Sequence, residues 1–324
     1  MINAQKTRLM VLFMLFVTMF LLTGCSEDSG IVNNTATSDK EALLNVVEGD
    51  PDIQSFEPNY DEGAEMTLMM GKVDQTVYPI RFRRNMKLIS RDIEMTVAGD
   101  TAIGKVTKVF EGTLTLALSY DEAAMGDTSA IDTTITKTFT STVTSMVIFE
   151  KRPSRGPQDD STKQFRDWRV KAMSLPEGGT ATQLAEIKKV EVFFANNDSL
   201  SITDPNSYFI GRDKRMRKQI PNLNRGEASQ LRVTVVSAVA DTDMVVLNFG
   251  RHIKGGLLGK RRLTMVSSIF NGTAYEKVYT LDWTTNQFPG SKHAIISVMP
   301  MNVLTDNATA VTSNAWGIPY IVKP

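Results

Sequence analysis

Asp92-Ile93-Glu94-Met95-Thr96-Val97-Ala98-Gly99-Asp100-Thr101-Ala102 is the stretch on which the fold class turns. Ile93, Met95 and Val97 alternate with Glu94 and Thr96, the period of two that gives a strand one apolar face. Gly99-Asp100 then makes a tight turn. Residues 102–120 continue as a long β run, with Leu114, Leu116 and Leu118 again at every second position. Residues 121–130 are a polar loop. Residues 131–151 are rich in Thr, Val and Ile, as suits an antiparallel strand with one wet face. Residues 153–163 read as another hairpin loop, and Phe165 to Leu175, around Trp168, as a closing strand.

Upstream of this block, Ser38-Asp39-Lys40-Glu41 has the spacing of a capping box. It opens a short helix that carries Leu43, Leu44, Val46 and Val47 and ends at Gly49, before Pro51. Met66 to Met70 fits strand or helix. Arg81, Arg83, Arg84, Lys87 and Arg91 are interleaved with Phe82, Met86 and Leu88, which reads as an amphipathic helix facing the core. A leading helix followed by long antiparallel strands is an α+β pattern over residues 38–176. Pro176-Glu177-Gly178-Gly179-Thr180-Ala181 is the expected domain boundary.

Residues 185–324 then show strands near 186–195, 229–239, 243–250, 262–270, 273–282, 292–302 and 314–323, spaced as in a β-sandwich. Leu231, Val233 and Val235 alternate with Arg232 and Thr234, giving one buried face. Asn271-Gly272 is the clearest hairpin signal, of the kind that suits a type I′ turn. The whole is a mostly β chain: an α+β domain followed by a sandwich.

The amino-terminal end speaks to location. Lys6 and Arg8 precede an apolar run from Leu9 to Leu22, broken only by Thr18. That run is shorter than the roughly 20 residues a helix needs to cross a bilayer core, and the three-part layout is that of an export signal. Leu22-Thr23-Gly24-Cys25 ends it, and Cys25 is the only cysteine. Residues 25–37 are small and polar, a flexible tether. Loss of residues 1–24 removes Lys6 and Arg8 and leaves a net charge of −2, which gives no global signal for a polyanion. With no second cysteine, the exported fold must hold without disulfides. Charge is uneven: residues 26–75 hold 12 acids against Lys40 and Lys72, and residues 185–324 hold 17 bases against 11 acids.

Leu22-Thr23-Gly24-Cys25 after such a run resembles the lipobox of bacterial lipoproteins. The resemblance implies cleavage between Gly24 and Cys25 and lipidation of Cys25. It also implies membrane attachment by the acyl chains, and Ser26 in place of Asp favours the outer membrane. Asp92 to Ala102, the paired long strands and Asp167-Trp168-Arg169-Val170 resemble the NTF2-like cone over residues 40–175. In that family a strand, a Gly-Asp-x-Ala turn, long paired strands and a final Trp-Arg strand occur in this order. Enzymes of that family place Asp or His in the cone. Neither His252 nor His293 falls in this region, so the resemblance does not carry catalysis over. Gly226, Leu231 to Ala238, Asp241 to Phe249, Asn271 to Tyr275 and Pro289-Gly290 resemble immunoglobulin-like and fibronectin-III-like modules of bacterial surface proteins.

Site chemistry is sparse. His252 and His293 have no ligand-spaced neighbours. Gly255 to Lys260 looks like a phosphate loop, but Lys254 and Arg261 stand where Gly and Ser/Thr are required. Asp241-Thr242-Asp243 offers too few oxygens for Ca²⁺ and reads as a solvated turn. No cofactor, metal or catalytic residue is implied. The basic loops are the binding candidate: Arg212, Lys214, Arg215, Arg217 and Lys218 in one, Lys260, Arg261 and Arg262 with Arg251 and Lys254 in another. If they meet they form a cationic patch for phosphates or acidic glycans; otherwise they are two solvated loops. The expected function is a lipid-anchored, non-catalytic envelope module with a protein or glycan partner and no nucleic acid. The alternative is a small-molecule or enzymatic pocket in the cone.

Overall fold

The computed structural model describes residues 32–50, 66–67, 78–121, 130–151, 168–195, 199–211, 222–251, 259–285 and 289–323. The chain divides into a unit of residues 1–39 and a unit of residues 40–324. Helix α1 (Val32–Gly49) is followed by β1 (Met66–Thr67), β2 (Tyr78–Ala98), β3 (Thr101–Ser119), β4 (Thr133–Lys151), β5 (Trp168–Ser174), β6 (Glu177–Gly179), β7 (Ala185–Phe194) and β8 (Ser199–Ile202). Then come β9 (Phe209–Gly211), β10 (Asn222–Leu223), β11 (Ala228–Ser237), β12 (Asp243–Arg251), β13 (Gly259–Arg262), β14 (Thr264–Phe270), β15 (Tyr275–Thr284), β16 (Gly290–Pro300), α2 (Met301–Thr305) and β17 (Asn314–Val322).

Helix α1 stops at Gly49 as expected, but it starts at Val32, ahead of the Ser38 cap. No Pro or Gly lies between Val32 and Glu48, so nothing local ends the helix at the expected cap. Residues 32–37 of the expected tether are therefore helical.

The 81–91 run is strand, not helix. Strand β2 pairs with β3 from Tyr78 to Ala98, around the Gly99-Asp100 turn. The spacing of Phe82, Met86 and Leu88 fits a helical stripe and also the even positions of a strand, and pairing decides between them. A register shift between Leu88 and Ser90 supplies one extra residue. Phe82 and Met86 are therefore inward at even positions, and Ile93 is inward at an odd one.

On β3 the even positions from Ala102 to Leu118 are all buried. Three groups of side chains cover that face. Leu43 and Val47 of α1 pack with Ile93, Val106, Phe149 and Trp168. Met86 and Phe110 meet Ile295 and Ala315. Phe82, Leu114, Leu116 and Leu118 meet Met244, Val246, Met299 and Leu304. The long hairpin thus lies partly on a helix and partly on strands of the carboxy-terminal half.

The Pro176–Ala181 stretch, expected as a boundary, contains a strand of the main sheet. Strand β6 pairs with β4 on one side and β17 on the other, with Gly178 facing Val143 and Ala315. The path β1-β2-β3-β4-β6-β17-β16-β12-β13 is one continuous sheet, to which β5, β9 and β10 also belong. The second sheet has the order β14-β15-β11-β7-β8. It faces β12, β16 and β17 across a core of Val190, Val233, Val235, Tyr279, Val245, Ile296, Val298 and Trp316, a β-sandwich packing.

The strands between β2–β4 and the five-stranded sheet are covered on both faces. Met244 and Val246 point one way, Val245 and Leu247 the other, and all are at most 3% exposed. Hence 244–247 is a continuous apolar run and 294–299 is broken only by Ser297; neither alternates. Burial of each such side chain contributes about 1.5–3 kcal/mol. Lys137 of β4 helps fasten the layers. Its ammonium donates to the carbonyl oxygens of Val303 (2.8 Å), Thr309 (3.0 Å) and Asp306, around the carboxy end of α2.

Candidate functional site

Cys25, Gly24, Arg212, Lys214, Arg215, Arg217, Lys218 and His252 lie outside the described residues, as do 153–163. Of the expected patch, Lys260, Arg261 and Arg262 are described. They sit on β13, a short strand paired with β12 so that Lys260 faces Asn248. Arg261 and Arg262 are exposed, while Lys260 is only partly exposed.

Lys260 turns toward β2. With Phe82, Arg84, Met244, Val246, Asn248, Ser297 and Met299 it lines a cavity of about 20 Å³, enough for a single water. Its ammonium lies 5.4 Å from the centre of the Phe82 ring. Burial, and then the Arg84 charge, push the Lys260 pKa down to about 8. The buried Asn248 Oδ1 has no protein hydrogen-bond partner.

After Arg262 the chain changes sheets. Leu263 is buried, and its N–H donates to the carbonyl oxygen of Val245. Thr264 then begins β14, the edge of the five-stranded sheet. Strand β14 pairs with β15 alone among the described residues. Met265, Val266, Ile269 and Phe270 are 36%, 58%, 65% and 56% exposed. No Pro or charged residue blunts the strand; its one protective feature is an irregularity between Met265 and Ser267.

The hairpin that presents β14 is held at Asn271, but not as the expected two-residue turn. Asn271 to Ala274 separate the strands, and the Asn271 Oδ1 accepts from the N–H groups of Thr273 and Ala274. Gly272 takes φ +98°, which favours glycine. Phe270 packs on Tyr275 at 4.9 Å.

The expected solvated turn at Asp241–Asp243 is overturned for Asp243, which is fully buried and ion-paired with fully buried Lys277 at 3.0 Å. Tyr279 Oη donates to the same Oδ2 (3.1 Å) and accepts from the Asp243 N–H (2.8 Å). Ser237 Oγ donates to Oδ1 (3.0 Å). Lys277 Nζ also donates to the carbonyl oxygen of Asp241. Burial raises the Asp243 carboxyl pKa against the opposing pull of Lys277, and burial raises that of Tyr279. The signal available in the sequence was Lys277 itself. It sits in phase with the inward positions Tyr279 and Trp283, where a strand of a sandwich normally carries an apolar side chain.

Among the described residues, no three His, Cys, Asp or Glu side chains group as metal ligands, and no helix is long and apolar enough to cross a membrane. No protein-family model matches the sequence, and no curated protein matches it.

Proposed function

We propose that the chain is a bacterial envelope lipoprotein, anchored through Cys25 to the outer membrane, and that it works as a non-catalytic binding module. Its partner is an extended protein segment that adds to the free edge of β14. The observation that carries this reading is the edge strand itself: a second edge that no strand among the described residues pairs, exposed Val266, Ile269 and Phe270, and no charge within it. Strand addition takes affinity from main-chain hydrogen bonds and specificity from alternate side chains. Arg261 and Arg262, exposed just before β14, favour a partner with acidic residues at the end that runs beside them and apolar residues along the rest.

The anchor rests on Leu22-Thr23-Gly24-Cys25 and the apolar run before it. Two or more acyl chains give stable attachment. The finer fold readings belong with this proposal. The packing of Leu43 and Val47 on one face of the long strands supports an NTF2-like origin for residues 38–176. Two facing sheets, in which β7, β11 and β15 on one side and β12, β16 and β17 on the other pair antiparallel, support an immunoglobulin-like one for residues 185–324.

The test uses the full chain in its native envelope. Mass spectrometry of the amino-terminal peptide should find acylated Cys25 as the first residue; an intact Met1 removes the anchor. Cross-linking from β14 should recover one extended acidic partner. Val266→Lys with Ile269→Lys should abolish that recovery, whereas Ile103→Lys, at an exposed position on β3, should not. Equal recovery from all three chains, or recovery of no partner, refutes the β14 reading.

A further inference from the structure

We propose that Asp243 and Lys277 become joined by an amide bond between their side chains, an internal cross-link from β12 of the long sheet to β15 of the five-stranded sheet.

The geometry is that of two reactants held together. Both side chains are 0% exposed, and Lys277 Nζ lies 3.0 Å from Asp243 Oδ2, one bond from the carbon to be attacked. Reacting groups fixed at such a distance escape the entropy cost of encounter. Val235, Val245 and Val298 are fully buried members of the surrounding core. Two opposite charges in such a place carry a desolvation penalty that their mutual attraction must repay. Transfer of one proton from the ammonium to the carboxylate replaces them with a neutral amine and a neutral acid, the forms that burial favours.

The neighbours supply the remaining chemistry. Ser237 Oγ donates to Oδ1 at 3.0 Å, which steadies negative charge on that oxygen as the amine adds to Cγ. Tyr279 Oη touches Oδ2 at 3.1 Å, where the departing hydroxyl needs a proton. The nitrogen gives up that proton, and the tyrosine hydroxyl relays it. The N–C bond forms, the C–Oδ2 bond breaks and one water leaves. No oxidant or other reactant is needed. The hydrogen bond from Lys277 to the Asp241 carbonyl oxygen keeps the amine from turning away. The product ties the two sheets of the sandwich covalently in a chain with a single cysteine, a constraint on the unfolded chain of the kind a disulfide provides.

The test needs no variant. Full-length protein, purified folded and then denatured, is digested with trypsin and analysed by mass spectrometry. The expected species is a branched peptide made of residues 233–251 and 263–292, lighter than their sum by one water and uncut after Lys277. Separate linear peptides with cleavage after Lys277 would overturn the proposal. In the Tyr279→Phe chain the linear peptides should replace the branched one. A fully branched population there would overturn the role given to the tyrosine hydroxyl.

Discussion

Replacing Lys260 by Met should stabilise the protein at neutral pH, and the gain should vanish in alkali. The ordinary lysine value of 10.5 falls to about 8 here, through burial first and the Arg84 charge second. Below pH 8 the ammonium is protonated in both folded and unfolded chains, and the full cost of burying it is present. Between pH 8 and 10.5 the folded chain releases the proton while the unfolded chain keeps it. The unfolded state then binds more protons, so wild-type stability rises with pH across that window. At about 1.36 kcal/mol per pH unit, the rise attributable to Lys260 is roughly 3 kcal/mol. Methionine keeps the length and the contact with Phe82, Met244 and Met299 but loses the cation–ring attraction, about 0.5–1 kcal/mol. The variant should therefore be about 2 kcal/mol more stable near pH 7, with the advantage gone by pH 10.5. Urea unfolding at several pH values, compared as the difference between the two chains, measures this. The difference isolates Lys260, because Lys137, Lys292, Tyr208 and Tyr279, also shifted by burial, titrate in both proteins. A difference that stays flat from neutral pH to pH 10.5, or a variant less stable at neutral pH, would refute the argument.

Other outcomes follow from the packing. Leu116→Ala and Val246→Ala should each cost about 1–4 kcal/mol and should couple by more than ~0.5 kcal/mol in a double-mutant cycle, because one cluster contains both. Leu116→Ala with Val233→Ala, drawn from different cores, should add; urea unfolding of the four chains decides it. Gly112→Ala should destabilise by about 1–3 kcal/mol, since the new Cβ would stand 2.3 Å from the Phe139 ring that covers the glycine across the strand pair; a neutral result in a thermal melt would count against that contact. Lys137→Met should cost about 1–3 kcal/mol by leaving the carbonyl oxygens around the end of α2 without their donor, and hydrogen exchange should rise there first.

Most carboxy-terminal strand positions were legible, because alternation and turn residues are local properties of the backbone. Strands β7, β11, β12, β15, β16 and β17 fall close to the expected spans. The short strands β8, β9, β10 and β13 were not legible, since two to four residues are too few to show a period. The basic loop at 212–218 was readable as charge, but it lies outside the described residues, and on β13 Arg261 and Arg262 are exposed while Lys260 is partly buried. The edge character of β14 could not be read from Thr264 to Phe270, because position within a sheet depends on which strands pair, not on the strand's own residues.

Composition and periodicity alone settled that the chain is mostly β and placed the longer strands β3, β4, β7, β11, β12, β15, β16 and β17, since each records its own alternation or β-rich composition. Tertiary packing decided the rest. Residues 81–91 read as an amphipathic helix until β3 paired along them. Pro176 to Ala181 could be a linker until β4 and β17 took up both edges of β6. Asp243 could be a turn residue until Lys277 and Tyr279 arrived from another strand to satisfy it in the core. In each case the deciding partner is remote in sequence, and a side chain's environment is set by what packs against it in space.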